Sequence, residues 1–183
     1  MISVNVISRI SDDKNSFFDL VYAIHKLDEE GVKDISVLFI GDIISNSLHQ
    51  AIQKLISLFD LGDRIKFTRK SIRFNDLPDA VKAGYFLNFT VGNFIGYSGI
   101  ESVNMGFKTL FYNGDKSLAE QTVSSASQCS DVRSLAKLLS NISSNQAEMD
   151  KLIAEDNLRM KGNFLLNAAD KSFLMSVLLP SGK

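Results

Sequence analysis

Tyr85-Phe86-Leu87-Asn88-Phe89, followed by Asn93-Phe94-Ile95-Gly96-Tyr97-Ser98-Gly99-Ile100-Glu101-Ser102-Val103-Asn104-Met105-Gly106, decides how this chain folds. The first run is apolar and reads as a buried strand. Beyond the glycines, the spacing of Ile100, Val103 and Met105 reads as a short helix. The glycines therefore fall where a strand turns into a helix, and free backbone N–H groups there point out of the carboxyl end of a sheet. That geometry suits an anionic group such as a phosphate. Glu101, early in the helix, is placed to accept hydrogen bonds from a ribose.

Upstream, Ile2 to Ile7 alternates as a strand, and Asn15 or Ser16 can cap a helix to about Glu29 that buries Phe18, Val21, Tyr22, Ile24 and Leu27. Ile35 to Ile40 is a buried strand ending in the turn Gly41-Asp42. Ser45 or Asn46 starts a helix to about Phe59, and Arg64 to Thr68 is a short strand. Asn75-Asp76-Leu77-Pro78 opens a short helix, with proline near the first turn where a missing N–H costs least. Downstream come a strand from Lys108 to Tyr112, the turn Asn113-Gly114-Asp115 and a short helix from Leu118. A weak strand from Ala126 to Gln128, a helix from Asp131 to about Ser140, and a helical tail from Ala147 broken near Gly162-Asn163 complete the chain.

Strands alternating with helices imply βαβ units and a mostly parallel sheet. The expectation is a Rossmann-like three-layer αβα sandwich: a domain over 1–146 with a C-terminal helical tail over 147–183. Such sheets bind ligands at the carboxyl ends of their strands. Arg9 and Lys14 follow the first strand, Gly41-Asp42 the second, and the segment from Asn93 to Glu101 the fourth, so the candidates converge on one edge.

Composition narrows the function classes. A chain of 183 residues suggests one domain, long enough to bury roughly 70% of the surface its unfolded form exposes. Net charge is −1, so no global field draws nucleic acid or an acidic membrane. Cys129 alone cannot form an internal disulfide, and with only His25 and His49 besides it, far apart in sequence, no zinc site is expected. No signal peptide and no run of about 18 apolar residues is visible, so the expected location is cytoplasmic.

The motif order resembles the C-terminal, nucleotide-sugar-binding half of GT-B glycosyltransferases of the retaining group called glycosyl transferases group 1, over roughly residues 2–140. Arg9 and Lys14, in Val6-Ile7-Ser8-Arg9-Ile10-Ser11-Asp12-Asp13-Lys14-Asn15, keep the spacing of the family's Arg and Lys that hold the donor diphosphate. Val37 to Asp42 looks like the family's strand ending in Gly-Asp, and Leu61 to Phe67 and Asn75 to Pro78 look like two further segments. Glu101 matches the second of two glutamates separated by seven residues, whose family role is to bind the nucleotide ribose. Gly96 and Gly106 fall at matching positions.

The departures are as specific as the matches. Asn93 stands where the first glutamate acts near the donor sugar, Phe94 where a small glycine follows it, and Lys108 where a proline follows Gly106. Asn93 donates and accepts hydrogen bonds but carries no charge.

The resemblance implies Arg9, Lys14 and Asn93 as catalytic residues and Gly96, Ser98, Gly99 and Glu101 as donor-binding residues. It implies a UDP-, GDP- or ADP-sugar as substrate, with no further cofactor and no metal. It further implies retention of anomeric configuration, a role in polysaccharide or glycoconjugate assembly, and an acceptor glycan or lipid-linked sugar bound by an N-terminal domain missing from these residues. An isolated half would be inactive. Peripheral membrane association of a full-length enzyme and a homodimer through an exposed apolar tail are compatible with it.

Plainer readings stand beside these. Arg9 and Lys14 also fit an ordinary exposed pair, Glu101 a charge complementing the helix dipole, and Ser98 and Gly99 a simple helix cap. Asn93, Phe94 and Lys108 also fit a degenerate, non-catalytic binding domain. A flavodoxin-like or receiver-like domain is a third reading, for which Asp12, Asp13 and Asp42 supply only a partial set of acids.

Overall fold

The computed structural model describes residues 1–13, 16–90, 96–114, 125–164 and 168–178. Six parallel strands lie in the order β3-β2-β1-β4-β5-β6. They are β1 (Ile2–Ile7), β2 (Ile35–Ile40), β3 (Ile65–Phe67), β4 (Tyr85–Thr90), β5 (Lys108–Asn113) and β6 (Gln128–Cys129). The helices are α1 (Ser16–Glu29), α2 (Asn46–Leu58), α3 (Asp79–Lys82), α4 (Tyr97–Asn104), α5 (Val132–Ser144), α6 (Gln146–Phe164) and α7 (Ala168–Leu178). The chain winds outward through β1, β2 and β3, then returns to lay β4 against the other side of β1. That reversal puts a crevice at the carboxyl ends of β1 and β4, where sheets of this kind bind ligands. A flavodoxin-like order would run 2-1-3-4-5, so this sheet excludes the third reading of the sequence.

Period-two alternation sorts the strand side chains into two cores. Val4, Val6, Val37, Phe39, Tyr85, Leu87, Leu110 and Tyr112 join Phe17, Leu20, Ile24, Ile52, Leu135 and Leu139 from the helices in the larger core. Their neighbours Ile40 and Phe86 point the other way, against Phe74 and Leu77. Phe17 anchors the larger core, meeting Phe39 and Phe89 edge-on at centroid distances of 5.6 and 5.3 Å. Tyr22, expected inside α1, is exposed, and Phe17 and Leu20 take the buried stripe instead. The predicted stripe was one residue out of phase at the start of the helix.

Local signals place the remaining ends. Ser45 caps α2, its hydroxyl accepting from Leu48 N–H. Arg64 is a weld: its guanidinium donates to Ile35 O, Val32 O and the Asp28 carboxylate. Asp131 caps α5 in a reciprocal pair, its carboxylate accepting from Ser134 N–H at 2.7 Å while Ser134 Oγ accepts from Asp131 N–H at 3.0 Å. The Ser134 backbone bond holds the Asp131 carboxyl below the usual carboxylate range.

Asp131→Ala is therefore expected to cost about 1 kcal/mol of stability at neutral pH. Because the folded carboxyl titrates below its unfolded value of about 3.9, this contribution is present above that value and lost as pH falls through the folded one. Thermal melts of wild type and variant should differ at neutral pH and converge in strong acid.

Three boundaries depart from the sequence reading. The last strand is Gln128–Cys129 rather than Ala126 to Gln128, because Phe111 and Tyr112 of β5 pair with those two residues. Helix α5 runs on to Ser144, past the serine-rich stretch expected as a boundary, because Leu139 and Ile142 remain fully buried. Helix α6 continues unbroken through Gly162-Asn163.

The edge beside the two-residue β6 is sealed by α6 itself. Asn157 accepts from Thr109 N–H at 3.1 Å and donates to Thr109 O at 2.9 Å, as a neighbouring strand would. Asp150 accepts from Lys108 at 2.8 Å and from Tyr85 OH at 2.5 Å. Burial, with Asp150 beside it, pushes the Tyr85 hydroxyl well above the ordinary tyrosine range. Helix α7 presents exposed Phe173, Met175 and Val177. No helix among the described residues is long and apolar enough to cross a membrane.

Candidate functional site

The exits of β1, β2 and β3 are laced together by backbone bonds. Ser8 N–H donates to Ile40 O, Ile10 N–H to Asp42 O, and Thr68 N–H to Phe39 O, while Ile44 and Ser45 both donate to Ile10 O. Gly41 makes the closest approach: a Cβ there would lie 2.1 Å from Ser8 O. The glycine of the Gly41-Asp42 turn is thus required by packing between the two strand exits, and the tight fit holds Arg9 in place on the carboxyl edge.

Across the crevice, Gly96 precedes α4 at φ 79°, ψ 152°, a conformation only glycine adopts without strain. Helix geometry leaves the first-turn N–H groups of α4 without intrahelical partners. Gly96 brings no side chain to cap this end, and no acid occupies the first turn of the helix. The end of α4 therefore carries the positive pole of its dipole with nothing built into the helix to neutralise it.

Between these walls lies a cavity of about 550 Å³. Ile7, Ser8, Arg9 and Asp13 line it from the β1 side, and Gly96, Tyr97 and Ser98 from α4. Ile40, Ser71, Ile72 and Phe89 complete it. Apolar side chains, with Arg9 and a helix N-terminus in the same lining, make a site fit for a ligand with a flat apolar part and an anionic part.

Of the residues singled out from sequence, Arg9, Gly96 and Ser98 meet on this cavity. Gly99 is buried within α4 and does not line it. Glu101 is exposed one turn beyond Tyr97 and Ser98, on the same helix face and about 6 Å further along the axis, outside the cavity lining. Lys14 and Asn93, with Phe94, lie outside the described residues. Among those described, no group of three or more His, Cys, Asp or Glu side chains is arranged to hold a metal.

Sequence reasoning put Gly41-Asp42 on this edge but not the contact that Asp42 makes across it. Asp42 accepts from Ser71 N–H at 3.1 Å and from Ser71 Oγ at 2.6 Å. These hydrogen bonds, with the Arg9 charge adding to them, hold the Asp42 carboxyl below the usual range. Thr68 Oγ1 accepts from Gly41 N–H and donates to Lys70 O, and Arg69 is held at φ 57°. The only available signal was the αL-strained turn after β3, and nothing local in Arg69 announces it.

The fold this site sits on is one Rossmann-like half of a GT-B architecture. No family model and no curated protein matches the sequence. Solved structures do match in three dimensions. A glycosyltransferase from Rickettsia africae ESF-5 superposes with a TM-score of 0.71 at 20% identity, over 98% of this chain and 48% of that one. Anabaena Alr3699/HepE in complex with UDP and glucose gives 0.72 at 15% identity, over 97% and 48%. The C-terminal domain of a glycosyl transferase group 1 family protein (LpcC) from Francisella tularensis gives 0.64 at 13% identity, over 89% and 85%. The chain thus spans about half the length of the first two, and at these identities the likeness defines the fold.

Proposed function

We propose that this chain is the donor-binding half of a glycosyltransferase that takes a sugar from a nucleoside-diphosphate sugar. The observation that carries the proposal is the cavity at the β1/β4 reversal, lined by Arg9 on one side and by the N-terminus of α4 on the other. The likeness to a fold that binds UDP in Anabaena HepE supports it.

In this reading the diphosphate lies between the Arg9 guanidinium and the N–H groups of Gly96 to Ser98. As the bond between the sugar's anomeric carbon and the diphosphate oxygen breaks, negative charge grows on that oxygen. Donors fixed in advance stabilise it without reorganising. Lys14 adds a second cation, so the leaving group needs no metal. Asn93 hydrogen-bonds the sugar, and Glu101, reaching back from the second turn of α4, takes the ribose hydroxyls. The acceptor attacks the face the diphosphate leaves, with retention.

The acceptor, a glycan or lipid-linked sugar, is held by a second domain outside these residues. The apolar α7, exposed here, docks against that domain or a second copy. We place the whole enzyme in the cytoplasm, in polysaccharide or glycoconjugate assembly.

Calorimetric titration with UDP, GDP and ADP tests the reading. At least one should bind at micromolar to millimolar concentration, and none binding at millimolar concentration would overturn it. Glu101→Ala should weaken the nucleotide about tenfold or more through the loss of hydrogen bonding to a charged acceptor, while pyrophosphate binding stays unchanged. Equal loss for both ligands would remove Glu101 from the ribose.

A further inference from the structure

The cavity is built across four adjacent strands. Its phosphate end lies against α4, which follows β4, and its opposite wall, Ser71-Ile72, follows β3. Three strand spacings separate the two, about 14 Å, the scale of a nucleoside diphosphate laid across the edge. The β3 wall is therefore where the nucleobase end of the ligand falls, and the question is what holds that wall.

The segment 68–72 belongs to no regular element, and of its side chains Ile72 packs against the smaller core. Lys70 and Ser71 are exposed, and Arg69 sits in the left-handed region at φ 57°. Hydrogen bonds tie both its ends to the end of β2: Thr68 donates its N–H to Phe39 O and accepts from Gly41 N–H at one end, and Ser71 donates twice to Asp42 at the other. Asp42 is held in turn by its own carbonyl, which accepts from Ile10 N–H next to Arg9. Its carboxylate also feels the Arg9 charge. One residue thus ties together the two strand exits that support the ends of the cavity, its carbonyl bonded to Ile10 and its carboxylate to Ser71.

We infer that Asp42 is a positioning residue of the donor site: it pins Ser71-Ile72 as the nucleobase wall and, as an anion beside Arg9, tempers the hold on the phosphates. This rests on the donor-binding reading above. The two effects have opposite signs, which separates them. Removing the carboxylate frees the nucleobase wall and weakens any ligand that needs it. The same change removes a negative charge near Arg9 and leaves a bare diphosphate bound equally or more tightly.

The test titrates UDP and inorganic pyrophosphate into wild type, Asp42→Ala, Asp42→Asn and Ser71→Ala. Asp42→Ala should bind UDP about tenfold more weakly, the effect of losing hydrogen bonds to a charged group, with pyrophosphate unchanged or tighter. Asp42→Asn keeps one acceptor for Ser71 N–H and offers its amide N–H to Ser71 Oγ, and should recover UDP binding to within about threefold of wild type. Ser71→Ala, which keeps the backbone bond, should fall between, and it decides the matter should Asp42→Ala fail to fold. A parallel loss of UDP and pyrophosphate, or UDP binding indifferent to both positions, overturns the inference while leaving the donor site standing. Wild type that binds pyrophosphate but not UDP overturns both.

Discussion

Replacing Gly41 by alanine is expected to be the most damaging single-methyl change in the described part of this chain. The added carbon would lie 2.1 Å from Ser8 O and 2.6 Å from Ser8 C. Both are backbone atoms, and Ser8 N–H is already bonded to Ile40 O, so neither strand exit can yield alone. Overpacking of rigid backbone costs about 3 kcal/mol or more. The expected result is a lower urea midpoint with an unchanged slope. In whatever fraction folds, nucleotide affinity should also fall, because Arg9 follows Ser8 directly. Gly62, where an added carbon meets nothing within 4 Å, is the control. Gly62→Ala should melt within about 1 kcal/mol of wild type.

Arg9→Ala should do the reverse, costing function and sparing the fold. Arg9 is exposed and makes no ion pair within 4 Å with a carboxylate among the described residues. Its loss removes nothing that the unliganded protein needs. Hydrogen bonds to a charged group contribute about 1.5–3 kcal/mol, so UDP affinity should fall by roughly 10–100-fold with the melting temperature of the free protein unchanged. Arg9→Lys should recover only part, because an ammonium does not reproduce the two-pronged grip of a guanidinium on phosphate. If Arg9→Ala bound UDP like wild type, the phosphates would have to lie elsewhere.

The sequence carries those parts of the molecule that depend on neighbours a few residues away. Alternation marks β1, and continuous apolar runs mark β2 and β4, because a strand's burial is written in its own residues. The strand-to-helix glycine at Gly96 is legible because its positive φ is a local demand. The three residues converging on the cavity, Arg9, Gly96 and Ser98, were found because the carboxyl edge of a parallel sheet follows from element order alone.

What escaped are contacts between residues far apart in sequence. Asp42 and Ser71 are 29 positions apart, and Asn157 and Thr109 are 48. No periodicity announces that an asparagine on α6 will stand in for a missing strand. Helix α6 buries its own Met149, Ile153 and Met160 and runs on to Phe164, where a single glycine costs only about 1 kcal/mol. Glu101 shows the limit of motif matching. Its place in the series from Asn93 is right, yet its carboxylate stands a helical turn outside the cavity wall.

The most direct test of the donor-site account follows backbone amide resonances of the isotopically labelled protein during titration with UDP. The account predicts the largest shifts at Arg9, at Gly96 to Ser98 and at Ser71-Ile72, with little change at Lys108, Tyr85 and Asp150 on the opposite edge of the sheet. Shifts confined to that opposite edge, or none at millimolar UDP, would contradict it.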